Sequence, residues 1–202
     1  MTRLFSLRFT LPAGMAVMLI VLLGLFNLDA YLNEHDQMMR TARSDALRQT
    51  EALARLAQTE PHGPGTRAAT EVAIATTDHR TRQLALIDPR GRIELAHRQV
   101  WVGTPAVDVL SGFTAERYAR VQRSSLPDVQ VDQDGLRLSV LQSHIDPSQD
   151  GGLRNLTRGA VFLLYDLELD HRVLWHQALR RLALQSAGVL LLMLLVGAVL
   201  RW

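Results

Sequence analysis

Two long uncharged apolar runs lie near the two ends of the chain, Phe9–Leu28 and Leu182–Leu200. Each run is long enough to cross a hydrocarbon core of roughly 30 Å as an α-helix. The residues between the runs have the polarity of an ordinary soluble domain. The pattern therefore predicts transmembrane helices at 9–28 and 182–200, which flank one extramembrane domain at 29–181.

The charges beside the first run predict its orientation. Arg3 and Arg8 precede it, and acidic residues follow it from Asp29 onward. Because basic residues favour the cytoplasmic side, we expect residues 1–8 and 201–202 in the cytoplasm and the domain outside it. A cleaved signal peptide is the alternative for the first run. The run is longer than a usual signal-peptide core, and no small-x-small site follows it, so we expect an uncleaved anchor.

A long helix is predicted directly after the first run, because the sequence from Asp29 to Gln58 contains neither glycine nor proline. Along this helix, mostly apolar residues recur at alternating steps of four and three, which is typical of a coiled-coil seam. One interpretation is a parallel homodimer, and the other is an amphipathic helix that packs on its own domain; both can hold along different parts. The seam residues are Leu28, Leu32, His35, Met39, Ala42, Ala46, Gln49, Leu53 and Leu56.

Short elements with strand and helix patterns follow. The clearest is a hairpin around the turn Asp88–Gly91, where a proline presets the second turn position and a glycine closes the turn. We expect helices at 66–77, 105–110 and 114–122, strands at 83–87, 92–96, 136–144 and 159–165, and a helix from Asp166 into the second apolar run.

This order of elements resembles the Cache family of PAS-like extracytoplasmic sensor domains. The resemblance is carried by Leu84–Ile93, by Val102-Gly103 and by Gly159–Leu167. It implies an α+β fold with a PAS-like antiparallel sheet of the single Cache type, a long N-terminal helix, and two flanking transmembrane helices. Domains of that family bind small metabolites and occur in histidine kinases, chemoreceptors, diguanylate cyclases and phosphodiesterases.

The resemblance implies the sensing region of a bacterial inner-membrane signal-transduction protein, with its central domain in the periplasm. It would detect a small ligand or an envelope condition and pass the signal through the helix at 182–200. The output would be a cytoplasmic kinase, cyclic-di-GMP enzyme or chemoreceptor module, in a longer protein or on a separate partner. The alternative is a membrane-anchored structural or assembly subunit whose outer domain binds another envelope protein. All 22 basic residues are arginine, which suits a GC-rich bacterial genome.

In a PAS-like domain the ligand pocket lies between the sheet and the connecting helices, and arginine and aromatic side chains hold small anions. The alternative is that the aromatic residues lie in the core and the arginines on the surface. The amino-acid-binding signature of the family is not found here, so the class of ligand stays open. The candidate ligand-binding residues are Arg98, Trp101, Arg117, Tyr118, Arg120, Tyr165 and Asp166.

Other chemistry finds little support in the sequence. A formal charge of +2 without a basic stripe argues against nucleic-acid binding, and no catalytic motif is found, so we expect neither an enzyme within these residues nor a cofactor. The chain has no cysteine. His171 and His176 point to different sides of a helix and are interpreted as solvated, and Asp146–Gly151 only partly matches a calcium loop. The sequence therefore predicts no metal site.

Overall fold

The computed structural model describes residues 6–59, 65–145 and 157–201, so Asp146–Gly151, the partial match to a calcium loop, lies outside the described residues. The chain forms two compact units. One is the domain Met39–Glu168, and the other is a helix pair formed by residues 6–38 and 169–201.

The predicted helices and strands occur in the predicted order, and a 3-10 turn and one short strand occur in addition. They are α1 (Ser6–Thr59), α2 (Arg67–Ala75), β1 (Thr81–Ile87), β2 (Ile93–Ala96), a 3-10 turn (Gln99–Trp101), α3 (Ala106–Val109), α4 (Ala115–Ser124), β3 (Asp128–Val131), β4 (Arg137–Ile145), β5 (Arg158–Asp166) and α5 (Glu168–Arg201).

The domain is built on a five-stranded sheet with the order β2-β1-β5-β4-β3, in which all neighbouring strands are antiparallel. Strand β5 lies in the centre and is hydrogen-bonded on both sides, to β1 and to β4. The two edge strands, β2 and β3, have only four residues each. The predicted α+β fold, with an antiparallel sheet and a long N-terminal helix, is thus confirmed.

The predicted hairpin forms around Asp88. Its carboxylate accepts hydrogen bonds from the backbone N–H groups of Arg90 and Arg92, at 2.8 and 2.7 Å. Gly91 has a φ of 80°, a left-handed conformation that glycine adopts without steric cost. The turn therefore sets the pairing of β1 with β2.

Two hydrophobic cores cover the two faces of the sheet, because successive residues of a strand point to opposite sides. On β5, Val161, Leu163 and Tyr165 face the first core, which contains residues of α1 and α2. The second core contains Phe162 and Leu164 of the same strand, together with residues of α3 and α4. Helices thus pack on both faces of the sheet.

The structure corrects part of the predicted dimer seam. Ala42 and Ala46 are completely buried, Leu53 is nearly so, and Met39 packs against the same core. These side chains lie against the chain's own sheet, so they are not available to a second chain. The repeated apolar residues along this part of α1 pack on the chain's own sheet, as in the second interpretation. Leu28 and Leu32 are more than half exposed, and a dimer contact there stays a prediction.

Helices α1 and α5 are both long and apolar enough to cross a membrane, by length and composition. Large apolar side chains along them are exposed, as Phe26, Leu191 and Leu194 illustrate. Lipid would cover such surfaces if each helix crossed a membrane once, so the exposed apolar side chains suit two membrane-spanning helices.

Candidate functional site

Tyr118 lies in the second core, between α4 and the sheet. Its O–H donates a hydrogen bond of 2.5 Å to the carbonyl oxygen of Asp88, in the hairpin turn. Its ring lies 5.6 Å from that of Phe113, which is 6.0 Å from the ring of Phe162. Aromatic rings therefore fill this face, and Tyr118 occupies the core position given above as the alternative to a ligand contact.

Arg117 is buried, with 4% of its surface exposed, and is the most constrained of the candidate residues. Its Nε donates to Asp128 at 2.7 Å, and its Nη1 donates to the carbonyl oxygen of Gly112 at 2.5 Å and to Oγ of Ser139 at 3.1 Å. Among the described residues, its Nη2 is buried and has no hydrogen-bond partner. This guanidinium thus keeps one donor unused.

The position of Arg117 follows from its local sequence. Thr114 caps α4, because its hydroxyl accepts a hydrogen bond from the backbone N–H of Arg117 at 3.2 Å. The side chain therefore leaves the first turn of the helix toward β3 and β4. Asp128 and Ser139 were missed in the sequence, since β3 was not predicted and a serine on a strand carries no signal of its own.

Trp101 lies at the end of the 3-10 turn and is partly buried. The Arg98 guanidinium lies over its ring, 5.2 Å from the ring centre, within the range of a cation–π interaction. The His97 ring meets Trp101 edge-on at 4.8 Å. Burial lowers the pKa of His97, and the positive charge of Arg98 lowers it further. The structure thus brings the candidate residues Arg98 and Trp101 into contact, with His97 as a neighbour that was not among the candidates.

Three candidate residues lie apart from this group. Arg120 is exposed on α4 and pairs with Glu116 at 3.8 Å. Tyr165 faces α1, on the opposite side of the sheet from Tyr118. Asp166 accepts a hydrogen bond from the Glu168 N–H at 3.1 Å, at the start of α5, and also pairs with Arg82 at 3.2 Å. The seven candidates therefore do not line one cavity.

A small cavity of about 10 Å³ lies in the first core. That volume is about one water molecule, and apolar cavities of this kind stay dry, so it does not hold a metabolite. The cavity is lined by Leu53, Ala68, Val72, Leu84, Ala85, Leu86, Leu95 and Val161.

Polar and charged side chains join the two helices of the helix pair. Asn27 Nδ2 donates to Oε1 of Gln185 at 2.5 Å. Arg181 forms an ion pair of 2.5 Å with Glu34. These contacts lie near the end of each predicted span that adjoins the domain in the sequence, and they join α1 to α5 there.

No protein-family model matches the chain, and no curated protein matches it. Among solved structures, it is similar to an extracellular ligand-binding receptor from Desulfohalobium retbaense, with 20% identity and a TM-score of 0.47. That match covers 68% of this chain and 25% of the receptor, so the chain spans about a quarter of the receptor's length. It is also similar to the sensor domain of DcuS from E. coli, with 16% identity, a TM-score of 0.43, and 71% of this chain and 98% of that one covered.

By their names, one neighbour is an extracellular ligand-binding receptor and the other is a sensor domain. With TM-scores below 0.5, neither of them assigns a ligand or a site to this chain.

Proposed function

We propose that this chain is the sensing region of a bacterial inner-membrane signal-transduction protein. The domain Met39–Glu168 detects a small ligand or an envelope condition in the periplasm. Helix α5 carries the change across the membrane to a kinase, a cyclic-di-GMP enzyme or a chemoreceptor module. That output lies in a longer protein or on a partner.

The junction between β5 and α5 is the observation that carries this proposal. The central strand ends at Asp166 and α5 begins at Glu168, so only Leu167 separates them. Leu167 is completely buried, and its N–H donates to the carbonyl oxygen of Leu136 at 2.7 Å. The Asp166 N–H donates to the carbonyl oxygen of Arg80 at 2.8 Å. A displacement at the centre of the sheet therefore reaches the first turn of α5 directly.

The face of the sheet that packs against α4 is the proposed input side. It holds a buried guanidinium with one free donor, the Nη2 of Arg117, so we propose a ligand with an acceptor oxygen, such as a carboxylate. Because aromatic side chains fill this face, the ligand binds a state in which α4 has moved outward. It shifts the equilibrium between the two states by its difference in affinity for them.

A thermal-shift screen of the full chain in nanodiscs tests the proposal, with small carboxylates and amino acids as probes. A compound at a hundred times its Kd stabilises the folded state by about 2.7 kcal/mol. We expect a hit with the wild type and with Arg120→Lys, the matched control on the same helix. We expect no response from Arg117→Lys, which keeps the charge but lacks the second donor arm. An equal response of both variants, or no hit at all, would contradict the proposal.

The alternative is a structural or assembly subunit whose outer domain binds another envelope protein. Val100 is 78% exposed, and the nearby Val102 and Val107 are exposed as well. Exposed apolar clusters of this kind often mark protein-binding surfaces. Under this alternative, a Val100→Asp/Val107→Asp variant would lose a defined envelope partner that co-purifies with the wild type, whereas it would leave a ligand-induced thermal shift unchanged.

The proposed topology has both termini in the cytoplasm and a parallel homodimer that contacts through the exposed residues Leu28 and Leu32. Since the chain has no cysteine, single cysteines report on single positions. Thr70→Cys should react with a membrane-impermeant thiol reagent in intact spheroplasts, and Thr2→Cys should not. Leu32→Cys should form a disulfide with a second chain more readily than Asn33→Cys, and equal crosslinking would contradict the dimer.

A further inference from the structure

We propose that His35 and His171 form a bis-histidine site for a divalent late transition-metal ion, such as Cu²⁺, Ni²⁺ or Zn²⁺. The site lies within the helix pair, with one imidazole from α1 and one from α5. The proposal does not depend on the sensing function, because metal binding itself is the quantity measured.

The two imidazole rings are 5.6 Å apart between centres and nearly perpendicular, at 82°. Among the described residues, Nδ1 of each ring is buried and has no hydrogen-bond partner. Leaving such a nitrogen unpaired is costly, and the lone pair of a neutral imidazole is a preferred metal ligand. With metal–nitrogen bonds of about 2.0–2.1 Å, two imidazoles on one tetrahedral ion have their ring centres roughly 5 Å apart. The observed separation of the ring centres is therefore close to the one that a shared ion requires.

Neighbouring rings hold the two imidazoles in place. Tyr31 lies one turn before His35, and Trp175 lies one turn after His171, so each pair shares a helix face. The Tyr31 ring stacks on His35 at 6.3 Å, meets His171 at 6.3 Å, and meets Trp175 edge-on at 5.6 Å. The ion pair of Glu34 with Arg181 joins the same two helices. The imidazoles therefore belong to a packed contact between helices and are not free on the surface.

The two imidazoles are the only protein ligands that we assign to the site. The Glu34 carboxylate is held by Arg181 at 2.5 Å. Within the described ranges, no group of three or more metal-ligating side chains is found. Water would complete the coordination shell, which suits an ion that binds and leaves readily. Affinity should be highest for Cu²⁺, the strongest binder among the divalent first-row ions.

A metal bridge here would join α1 to α5 just outside the predicted spans. A state of the helix pair that keeps both nitrogens within reach of one ion would be favoured over a state that separates them. The ion shifts that equilibrium by its difference in affinity for the two states. Metal binding would thus act on the helix pair itself, separately from a ligand of the domain.

Cu²⁺ titration of the full chain in nanodiscs, without a polyhistidine tag, tests the site. The readouts are the EPR spectrum of bound Cu²⁺ and competition by Zn²⁺. We expect one Cu²⁺ per chain with two imidazole nitrogens in the wild type and in His176→Ala, the control on an exposed position of α5. His35→Gln and His171→Gln should each weaken binding at least tenfold and leave a single imidazole in the spectrum.

Circular dichroism spectra and melting curves check that the glutamine variants are folded, and His35→Asn and His171→Asn serve as replacements if they are not. Cu²⁺ should also quench the fluorescence of Trp175, most clearly in a variant with Trp101→Phe and Trp202→Phe. Equal affinity in all variants would overturn the site. So would a one-imidazole spectrum in the wild type, or the same loss of binding in His176→Ala.

Discussion

The phenol of Tyr165 donates a hydrogen bond of 2.7 Å to Oε1 of Gln49, which joins the central strand β5 to helix α1. Burial raises the pKa of Tyr165 to about 12, and the negative charges of Asp78 and Asp45 contribute in the same direction, while Arg80 opposes them. The neutral phenol is therefore strongly favoured in the folded domain.

This bond leads to a pH-dependent prediction. The folded-state pKa lies above the ordinary value of 10, so the stability from the neutral phenol is fully present below about pH 10 and is lost as the pH rises toward 12. Replacing Tyr165 by Phe should cost about 1 kcal/mol near neutral pH. The gap in melting temperature between wild type and Tyr165→Phe should narrow between about pH 10 and pH 12. Since the chain has no lysine, the other tyrosines are the main groups that titrate in this pH range, and their effect is the same in both proteins. A constant gap in melting temperature would contradict the prediction.

The ion pair of Arg117 with Asp128 should stabilise the domain far more than that of Arg120 with Glu116. The first is 2.7 Å long, and only 5% of the Arg117 side chain is exposed, whereas the second is 3.8 Å long and exposed. Arg117→Met leaves Asp128 partly buried and unpaired, so we expect a loss of about 3 kcal/mol. Arg120→Met should cost less than about 0.5 kcal/mol. Chemical unfolding of both variants measures the difference, and similar losses would show that the buried pair contributes little.

Leu167 and Leu169 provide a matched pair at the junction of β5 and α5. Leu167 is completely buried and Leu169 is 57% exposed. Leu167→Ala should lower the free energy of unfolding by about 3 kcal/mol, because it leaves a cavity in the first core. Leu169→Ala should change it by less than about 0.5 kcal/mol. Equal effects would mean that the junction is not anchored in the domain as described.

Stability should also fall in mild acid because of His97. Its pKa is lowered in the folded domain, so the neutral imidazole contributes stability that is present above about pH 6.5 and is lost as the pH falls through the folded-state pKa. In melting curves between about pH 7 and pH 5, the wild type should lose more stability than His97→Gln, which cannot titrate. The same loss of stability in both proteins over this pH range would argue against a lowered pKa of His97.

Gly159 should tolerate no side chain. A Cβ at this position would lie 2.4 Å from the carbonyl oxygen of Ile87 and 2.5 Å from Cε1 of His144. Gly159→Ala should therefore destabilise the domain by about 3 kcal/mol. Adding His144→Ala should restore only part of this loss, because the contact with the backbone of β1 remains. Complete rescue would show that the imidazole alone limits the space.

The sequence predicted those elements whose signal is local. The hairpin at Asp88 was correct because proline, glycine and an acceptor side chain determine such a turn within a few residues. The α+β class was implied by the resemblance to Cache domains, which rests on the order of the elements. Strand β3 was missed because Asp128–Val131 has only four residues, and every second one is polar. It lies at the edge of the sheet.

Long-range partners could not be predicted in the same way. A stripe of residues such as Ala42 and Ala46 shows that one face of α1 is buried, but not whether its own sheet or a second chain buries it. Tyr165 and Tyr118 also lie on opposite faces of the sheet. The choice of candidate residues did not take into account which face of its strand Tyr165 occupies. His171 was interpreted as solvated because its partner was sought on the same helix, whereas it packs against His35 on another.

The four-residue length of β2 and β3 limits how the domain can aggregate. An edge strand presents unpaired N–H and C=O groups to which another chain can add a strand, and short edges are one way in which proteins avoid this. Here the longest strands, β4 and β5, lie inside the sheet, and each outer edge offers few free backbone groups. Crowded copies of the domain would therefore resist joining their sheets into a continuous fibre.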